Sequence, residues 1–203
     1  YIGYHGNKVH LLSMFPSISN ALKKLSKKYN IKVLLLYNHS NLGMLPSFIT
    51  QDINIEYLQW NQTNLNYFLS KVDIGIVPNF KPVLFKRFLK FLSLPFINLF
   101  ATHTSDYLVR YKMTSGPNRI LTFAANKIPV VSDMYPSACQ IINHEKNGFL
   151  AFSESGWYNS IEKLINSPKL REYFSKEMHQ KFKSDFDFEK QNERFLKDLN
   201  YLQ

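Results

Sequence analysis

The sequence predicts a doubly wound α/β/α domain built on a mainly parallel sheet. Three observations predict it. Short apolar runs rich in β-branched residues recur along the chain, and segments with apolar residues at helical spacing separate them. Repeated β–α units of this length favour a parallel sheet with helices on both faces. A chain of 203 residues with 45% hydrophobic content can bury a sizeable core, so we expect one domain over residues 1–203.

The apolar runs give the strands and the periodic segments give the helices. Strands are predicted within 1–7, at 31–37, 53–58, 72–78 and 128–131, and in a short segment ending at Leu150. Helices are predicted from Pro16 to Tyr29, at 65–69 and 120–125, after Ser137, from Trp157 to Ile165, from Ser167 through Phe182, and after Asp187. Residues 79–111 are less regular. Within them, residues 81–92 form a basic amphipathic stripe. We expect this stripe to contact one of three partners, namely this sheet, another domain or a membrane surface.

The stretch 115–150 carries the strongest signal for a binding site. Residues 115–118 are turn formers that can cap a helix, and Arg119 comes directly after them. The strand at 128–131 is followed by a polar loop that reaches Ser137. In an open parallel sheet, ligands bind at the carboxyl ends of strands, where helix N-termini present free N–H groups. We therefore predict a site for an anion such as a diphosphate.

Charge is strongly positive and unevenly distributed. The formal net charge is +10, and six lysines but no acidic residue precede Asp52. This bias suits nucleic acid, an anionic membrane or a phosphorylated ligand, while a solvated helix face accounts for the lysines at 23–28. A helix-turn-helix, zinc or RNP-type motif is missing, so nucleic acid is not expected as a partner. The longest apolar segment, at 91–101, is too short to span a bilayer.

Three short signals have simple interpretations. Cys139, the single cysteine, fits a reducing compartment and is interpreted as a small buried residue on a helix rather than a nucleophile. Asp185 and Asp187 match the Asp-x-Asp pattern that can hold a divalent metal, but Asp187 is better explained as a helix cap, and no metal site is expected. Gly6 lets a phosphate or sugar approach the backbone closely, although the spacing is not the dinucleotide-binding GxGxxG.

Several segments, in this order, resemble a known family. They are GYHGN, LKKLSKKYNIKVLLLYN, Trp60, VDIGIVP, NRILTFAANKIPVVSD, YPSACQIINHEKNGFLAF and SPKLREYF. This order and spacing resemble the C-terminal, nucleotide-sugar-binding domain of retaining GT-B glycosyltransferases, a Rossmann-like fold. The likeness covers nearly all of the chain apart from 79–111. It implies a metal-independent hexosyltransferase of polysaccharide biosynthesis that needs no cofactor beyond its nucleotide-sugar donor.

The resemblance also implies roles for particular residues. Arg119, assisted by Lys112, would counter the charge on the departing nucleoside diphosphate. The residues that would bind the donor are Gly6, Asn7, Ser115, Asn118, Thr122, Tyr135, Pro136 and Ser137. An acceptor domain would precede this chain, which alone would bind donor without turning it over. From the basic bias and the stripe at 81–92 we expect a cytoplasmic enzyme, peripheral at the inner face of an anionic membrane, with a lipid-linked or surface-glycan acceptor.

The sequence departs from the family at the ribose. Thr114 and Thr122 replace a frequent pair of glutamates, and Gln140 stands where another glutamate is frequent. A non-catalytic nucleotide-binding or regulatory module of the same fold therefore stays open as an alternative. For Arg119, an ion pair with a surface carboxylate is the alternative to a role in binding.

Overall fold

A single six-stranded sheet forms the centre of the molecule. The computed structural model describes residues 1–79, 116–186 and 188–200. The strands are β1 (Ile2–His5), β2 (Val33–Tyr37), β3 (Ile55–Gln59), β4 (Ile74–Val77), β5 (Val130–Asp133) and β6 (Phe149–Ala151). Their spatial order is β3-β2-β1-β4-β5-β6, and all neighbouring pairs are parallel. The predicted doubly wound α/β fold with a parallel sheet is confirmed.

Helices cover both faces of this sheet. In the described part of the chain they are α1 (Lys8–Leu11), α2 (Ser17–Lys28), α3 (His39–Leu42), α4 (Ser47–Thr50), α5 (Gln62–Lys71), α6 (Asn118–Ala125), α7 (Pro136–Ile141), α8 (Glu154–Asn166), α9 (Pro168–Asp185) and α10 (Phe188–Asn200). Successive strand residues point to opposite faces. In β2, Val33, Leu35 and Tyr37 join the core under α2 and α8, whereas Leu34 and Leu36 join the core under α5 and α6.

Several element boundaries differ from the sequence prediction. The fifth strand is Val130–Asp133 rather than 128–131, because Ser132 and Asp133 pair with Leu150 and Ala151 of β6 instead of forming the predicted loop. The second strand begins at Val33 rather than residue 31, because the Ile31 N–H bonds the Tyr29 carbonyl 2.9 Å away instead of a neighbouring strand. Helix α6 has Pro117 as its N-cap and no side-chain cap, so the capping predicted from the turn formers is wrong where the structure describes them. The predicted break after this helix is confirmed, since Lys127 adopts a left-handed φ of 56°.

Ion pairs explain much of the basic character of the first 32 residues. Helix α2 packs against α8, and Lys24 and Lys28 reach Glu154 and Glu162 at 2.6 and 2.9 Å. Lys32 pairs with Glu56 across β2 and β3 at 2.6 Å. These solvent-exposed pairs contribute little stability, but they assign part of the lysine cluster to packing between helices.

The C-terminal helices follow the predicted pattern. Ser167 caps α9 by accepting from the Leu170 N–H at 3.2 Å, and Phe174 and Met178 are buried on its inner face. Asp185 is held by Lys181 at 2.9 Å and by Ser184, while the capping role predicted for Asp187 lies outside the described residues. Within 1–79, 116–186 and 188–200, no group of three or more His, Cys, Asp or Glu has the spacing of a metal site.

Cys139 is a correction to the sequence interpretation. It lies on α7 as expected, but its side chain is exposed rather than buried. The buried positions of this short helix are Ala138 and Ile141, so Cys139 falls on the outer face. None of the described helices is long and apolar enough to cross a bilayer.

Candidate functional site

The sheet has a topological switch point between β1 and β4. From β1 the chain moves outward through β2 and β3 on one side, and β4, β5 and β6 follow on the other. The loops that leave β1 and β4 therefore diverge and open a crevice at the carboxyl ends of these strands, which is where open α/β sheets bind ligands. Gly6 and Asn7 follow β1, and Pro78 and Asn79 follow β4. Helix α6 begins above the same crevice.

The loop after β1 is held close to the sheet. The Tyr4 hydroxyl donates to the Asn7 carbonyl at 2.7 Å, and the Asn7 side chain caps α1 by accepting from the Val9 N–H at 2.9 Å. Gly6 has φ +138°, a conformation that side chains disfavour. A Cβ at Gly6 would lie 2.8 Å from the Tyr4 hydroxyl and 3.1 Å from Cδ of Arg119. The loop is therefore shaped around Arg119 and has no room for a larger residue.

Arg119 is fixed in place but not neutralised. Its Nη1 donates to the Pro78 carbonyl at 2.8 Å, and its guanidinium carbon lies 5.7 Å from the centre of the Tyr4 ring. Both contacts orient a guanidinium without cancelling its charge. Among the described residues no carboxylate forms an ion pair with it, so the alternative of a surface ion pair has no support there. A positive charge is thus held at the switch point.

Sequence reasoning missed His5, which supports the backbone of Arg119. Its ring packs edge-on against Phe123 and Phe68, with centroids 4.9 and 6.0 Å away, and Nε2 lies 3.3 Å from the Arg119 carbonyl. Burial lowers the pKa of His5 to about 4, so the ring is neutral at neutral pH. In the tautomer that fits this contact, Nε2–H donates to the Arg119 carbonyl. The sequence signal was a histidine in the last position of a buried strand.

Asp133 is a second residue that sequence reasoning missed. Its Oδ2 accepts from the Asn79 N–H at 2.5 Å, and its Oδ1 accepts from Trp157 Nε1 at 3.2 Å. The carboxylate therefore ties the end of β4 to the end of β5 and to α8. Asn79 directly follows Pro78, whose carbonyl receives the Arg119 guanidinium. Asp133 thereby helps to hold the backbone that orients Arg119.

Tyr135, a residue that the sequence predicts on the sugar side of the site, lies close enough to Arg119 to interact with its charge. Its hydroxyl is buried and has no hydrogen-bond partner of standard geometry in the described part of the chain. Burial raises the pKa of Tyr135, an effect that the Arg119 charge partly opposes. Pro136 is exposed at the first turn of α7 and Ser137 is half-buried beside it, but the contacts described do not join either residue to Arg119.

The remaining predicted residues lie along α6 or outside the described part. Asn118 is the exposed first residue of α6. The Thr122 hydroxyl donates to the Asn118 carbonyl at 2.9 Å, so its proton is used within the helix. Lys112 and Ser115, together with Thr114 and the stripe at 81–92, lie outside the described residues.

The strand order, the switch-point crevice and the arginine at its edge define a class of fold. It is a Rossmann-like α/β fold that one half of GT-B glycosyltransferases also adopts. The resemblance found in the sequence is confirmed at this level. Protein-family models and curated protein sequences give no match to the chain.

Several solved structures superimpose on nearly the whole chain at low sequence identity. Anabaena Alr3699/HepE in complex with UDP and glucose superimposes with a TM-score of 0.68 at 11% identity, over 99% of this chain and 48% of that one. The C-terminal domain of the glycosyl transferase group 1 family protein LpcC from Francisella tularensis gives 0.60 at 14%, over 92% and 86%. A mutant of S. aureus TarM, in complex with fondaparinux, alpha-GlcNAc-glycerol and UDP, gives a TM-score of 0.62 at 13% identity, over 97% of this chain and 34% of that one. The chain thus spans about a third to a half of the length of TarM and HepE.

Proposed function

We propose that this chain binds the nucleotide-sugar donor of a glycosyltransferase. The fold supports the proposal, and so do the ligands of structures with this fold. HepE is seen with UDP and glucose and with UDP-glucose, and TarM is seen with UDP. A uridine nucleotide is therefore the first donor to test.

The observation that carries the proposal is the guanidinium of Arg119. It is oriented by Pro78 and Tyr4, lacks a carboxylate partner among the described residues, and stands beside the Gly6 backbone. A diphosphate supplies the negative charge and the multiple acceptor oxygens that a fixed guanidinium prefers. The first turn of α6 adds unpaired N–H groups and a partial positive charge at the same place.

The same groups suit the chemistry of glycosyl transfer. Positive charge grows on the sugar ring, and negative charge grows on the leaving diphosphate as the glycosidic bond to phosphate breaks. Arg119 would stabilise this negative charge from a fixed position. The guanidinium would therefore need little reorientation as the reaction proceeds. A guanidinium in this role supports metal-independent transfer. We further propose that Tyr135, Pro136 and Ser137 face the sugar and that stereochemistry at the sugar is retained.

We propose that the acceptor binds a second domain. The chain spans about a third to a half of TarM and HepE, and this crevice opens at one edge of a single sheet. A separate domain facing that edge would bring acceptor and donor together and exclude water from the reaction. We further propose that the enzyme lies in the cytoplasm at the inner face of the membrane and that its acceptor is a lipid-linked or surface glycan. On this proposal, the chain alone binds donor without turnover.

One observation favours a non-catalytic nucleotide-binding module instead. The Thr122 hydroxyl donates its hydrogen bond to the Asn118 carbonyl, and Gln140 carries an amide rather than a carboxylate. A ribose bound here would therefore lack the carboxylate partner that the resemblance would otherwise supply. Such a module would keep its affinity for the diphosphate and lose its preference for the sugar.

Calorimetric titration with UDP, GDP and ADP and their sugar conjugates tests the proposal. We expect one nucleotide to bind, with or without Mg²⁺. Arg119→Ala should weaken this binding about 100-fold, because a lost charged donor costs about 3 kcal/mol. Arg194→Ala removes the same charge from an exposed position on α10 and should leave affinity unchanged. Equal effects of the two substitutions would contradict the proposal, and equal affinity for UDP and UDP-sugar would favour the non-catalytic module.

A further inference from the structure

Four large apolar side chains lie exposed beside the crevice. Phe15, Leu42, Met44 and Phe48 have 43%, 42%, 52% and 44% of their surface accessible. The rings of Phe15 and Phe48 contact edge to face with centroids 5.0 Å apart. Leu42 and Met44 flank Gly43 in the segment between β2 and β3, and the Gly43 carbonyl is held by the Tyr37 hydroxyl at 2.9 Å. Phe15, just before α2, and the segment between β2 and β3 therefore present these apolar groups to solvent.

Two lysines belong to this surface. Lys8 Nζ donates to the Leu42 carbonyl at 2.5 Å, and Lys23 Nζ donates to the Phe48 carbonyl at 3.3 Å. Neither ammonium has a carboxylate partner among the described residues. We call the six residues Lys8, Phe15, Lys23, Leu42, Met44 and Phe48 the basic aromatic surface.

The neighbouring lysines behave differently. Lys24 and Lys28 lie on the side of α2 that faces α8, and each is paired with a glutamate of α8. The sequence places no carboxylate before Asp52. Among the described residues, the positive charge of the basic aromatic surface therefore has no carboxylate partner, whereas Lys24 and Lys28 beside α8 are paired.

This combination matches a membrane interface better than a protein partner. Aromatic and aliphatic side chains enter the boundary between headgroups and acyl chains, and nearby lysines attract anionic lipids. Protein–protein interfaces, in contrast, are depleted in lysine at their core. We propose that the basic aromatic surface docks the protein on an anionic membrane.

The location of this surface connects it to the candidate site. Lys8 directly follows Asn7, so the surface continues from the loop that forms one wall of the crevice. Docking there places the mouth of the crevice close to the headgroups, within reach of an acceptor held in the membrane. This last step rests on the proposed donor-binding function. Membrane binding itself does not, so the two are measured separately.

Vesicle flotation of the full chain tests the charge contribution. With phosphatidylcholine vesicles containing about a third phosphatidylglycerol, the chain should float, and with pure phosphatidylcholine it should not. Lys8→Gln with Lys23→Gln should reduce binding about 25-fold, since each lysine near an anionic surface contributes about fivefold. The matched control, Lys24→Gln with Lys28→Gln, removes two paired charges and should reduce binding about threefold at most. Equal losses in the two double variants, or flotation with neutral vesicles alone, would overturn the proposal.

A second pair of variants tests the apolar contribution. Phe15→Ser with Phe48→Ser should abolish the part of the binding that survives high salt, while Phe195→Ser, an exposed phenylalanine on α10, should not. Circular dichroism shows whether each variant is folded. If the phenylalanine variant does not fold, the two lysine double variants alone test membrane docking. A dimer in light scattering that the phenylalanine variant loses would assign the surface to a second copy of the chain and overturn membrane docking. Nucleotide titration of the same variants shows whether the donor site is intact.

Discussion

The neutral state of His5 leads to a specific prediction about pH. The pKa of His5 falls from its ordinary 6.5 to about 4 because the ring is buried between Phe68 and Phe123. A folded-state pKa below the unfolded value means that the unfolded chain takes up the proton first as pH falls. The associated stability is complete above about pH 6.5 and is lost progressively toward pH 4. Each pKa unit corresponds to about 1.4 kcal/mol, so the loss at pH 4.5 is about 2.5 kcal/mol.

Urea unfolding near neutral pH and near pH 4.5 measures this loss. His5→Gln keeps an amide N–H that can donate to the Arg119 carbonyl, but it has no titrating group. The fall in unfolding free energy between the two pH values should be about 2.5 kcal/mol smaller in His5→Gln than in the parent. Carboxylates whose pKa is lowered, such as Glu154 and Glu162, are present in both proteins and cancel. An equal fall in the two proteins would refute the assignment of a buried, neutral His5.

Two further predictions concern the packing around the crevice. Asp133→Asn should lower the unfolding free energy by about 2–3 kcal/mol in urea titration, because a charged acceptor of two hydrogen bonds is lost. It should also weaken nucleotide binding, although Asp133 itself is not proposed to contact the nucleotide. The exposed control Asp198→Asn should do neither, and full nucleotide affinity in Asp133→Asn would show that Asp133 does not position the site. Gly75→Ala should cost about 1–3 kcal/mol in thermal unfolding, because its Cβ would lie 2.7 Å from the Phe123 ring. Among the described residues, a Cβ at Gly116 meets nothing closer than 3.6 Å, so Gly116→Ala should stay within about 0.5 kcal/mol. Similar changes in the two glycine variants would contradict the packing.

The sequence predicts the architecture well because its signals are local. Strands β2 and β4 are short buried apolar runs, and Pro78, which has no N–H to continue a ladder, directly follows β4. Ser167 and Pro168 occupy the cap and first position of α9 as predicted, since these preferences depend on neighbouring residues alone. The order of the strands is then restricted by the right-handed crossover rule.

The network around the site could not be predicted in this way. Asp133 bonds Asn79 and Trp157, which lie 54 and 24 residues away in sequence. His5 and Arg119 are 114 residues apart. Such contacts depend on which strands are neighbours at the switch point, and a single sequence does not carry that information. The sequence also predicts no helix between β2 and β3, because α3 and α4 are single turns without a periodic apolar pattern.

The exposure of Cys139 shows that residue type alone does not predict the burial of a single side chain. Cysteine is among the residue types most often buried, and this average led to the wrong interpretation. Only the phase of α7, which turns Ala138 and Ile141 inward, decides where Cys139 points. A six-residue helix is too short for the sequence pattern to fix that phase.

A crystal structure of the chain with UDP tests the central claim most directly. The account predicts that the diphosphate lies at the switch point, with a phosphate oxygen about 3 Å from the Arg119 guanidinium and against the Gly6 backbone. It also predicts that the guanidinium keeps its hydrogen bond to the Pro78 carbonyl. A nucleotide bound elsewhere, or a diphosphate at the switch point with Arg119 turned away from it, would contradict the account.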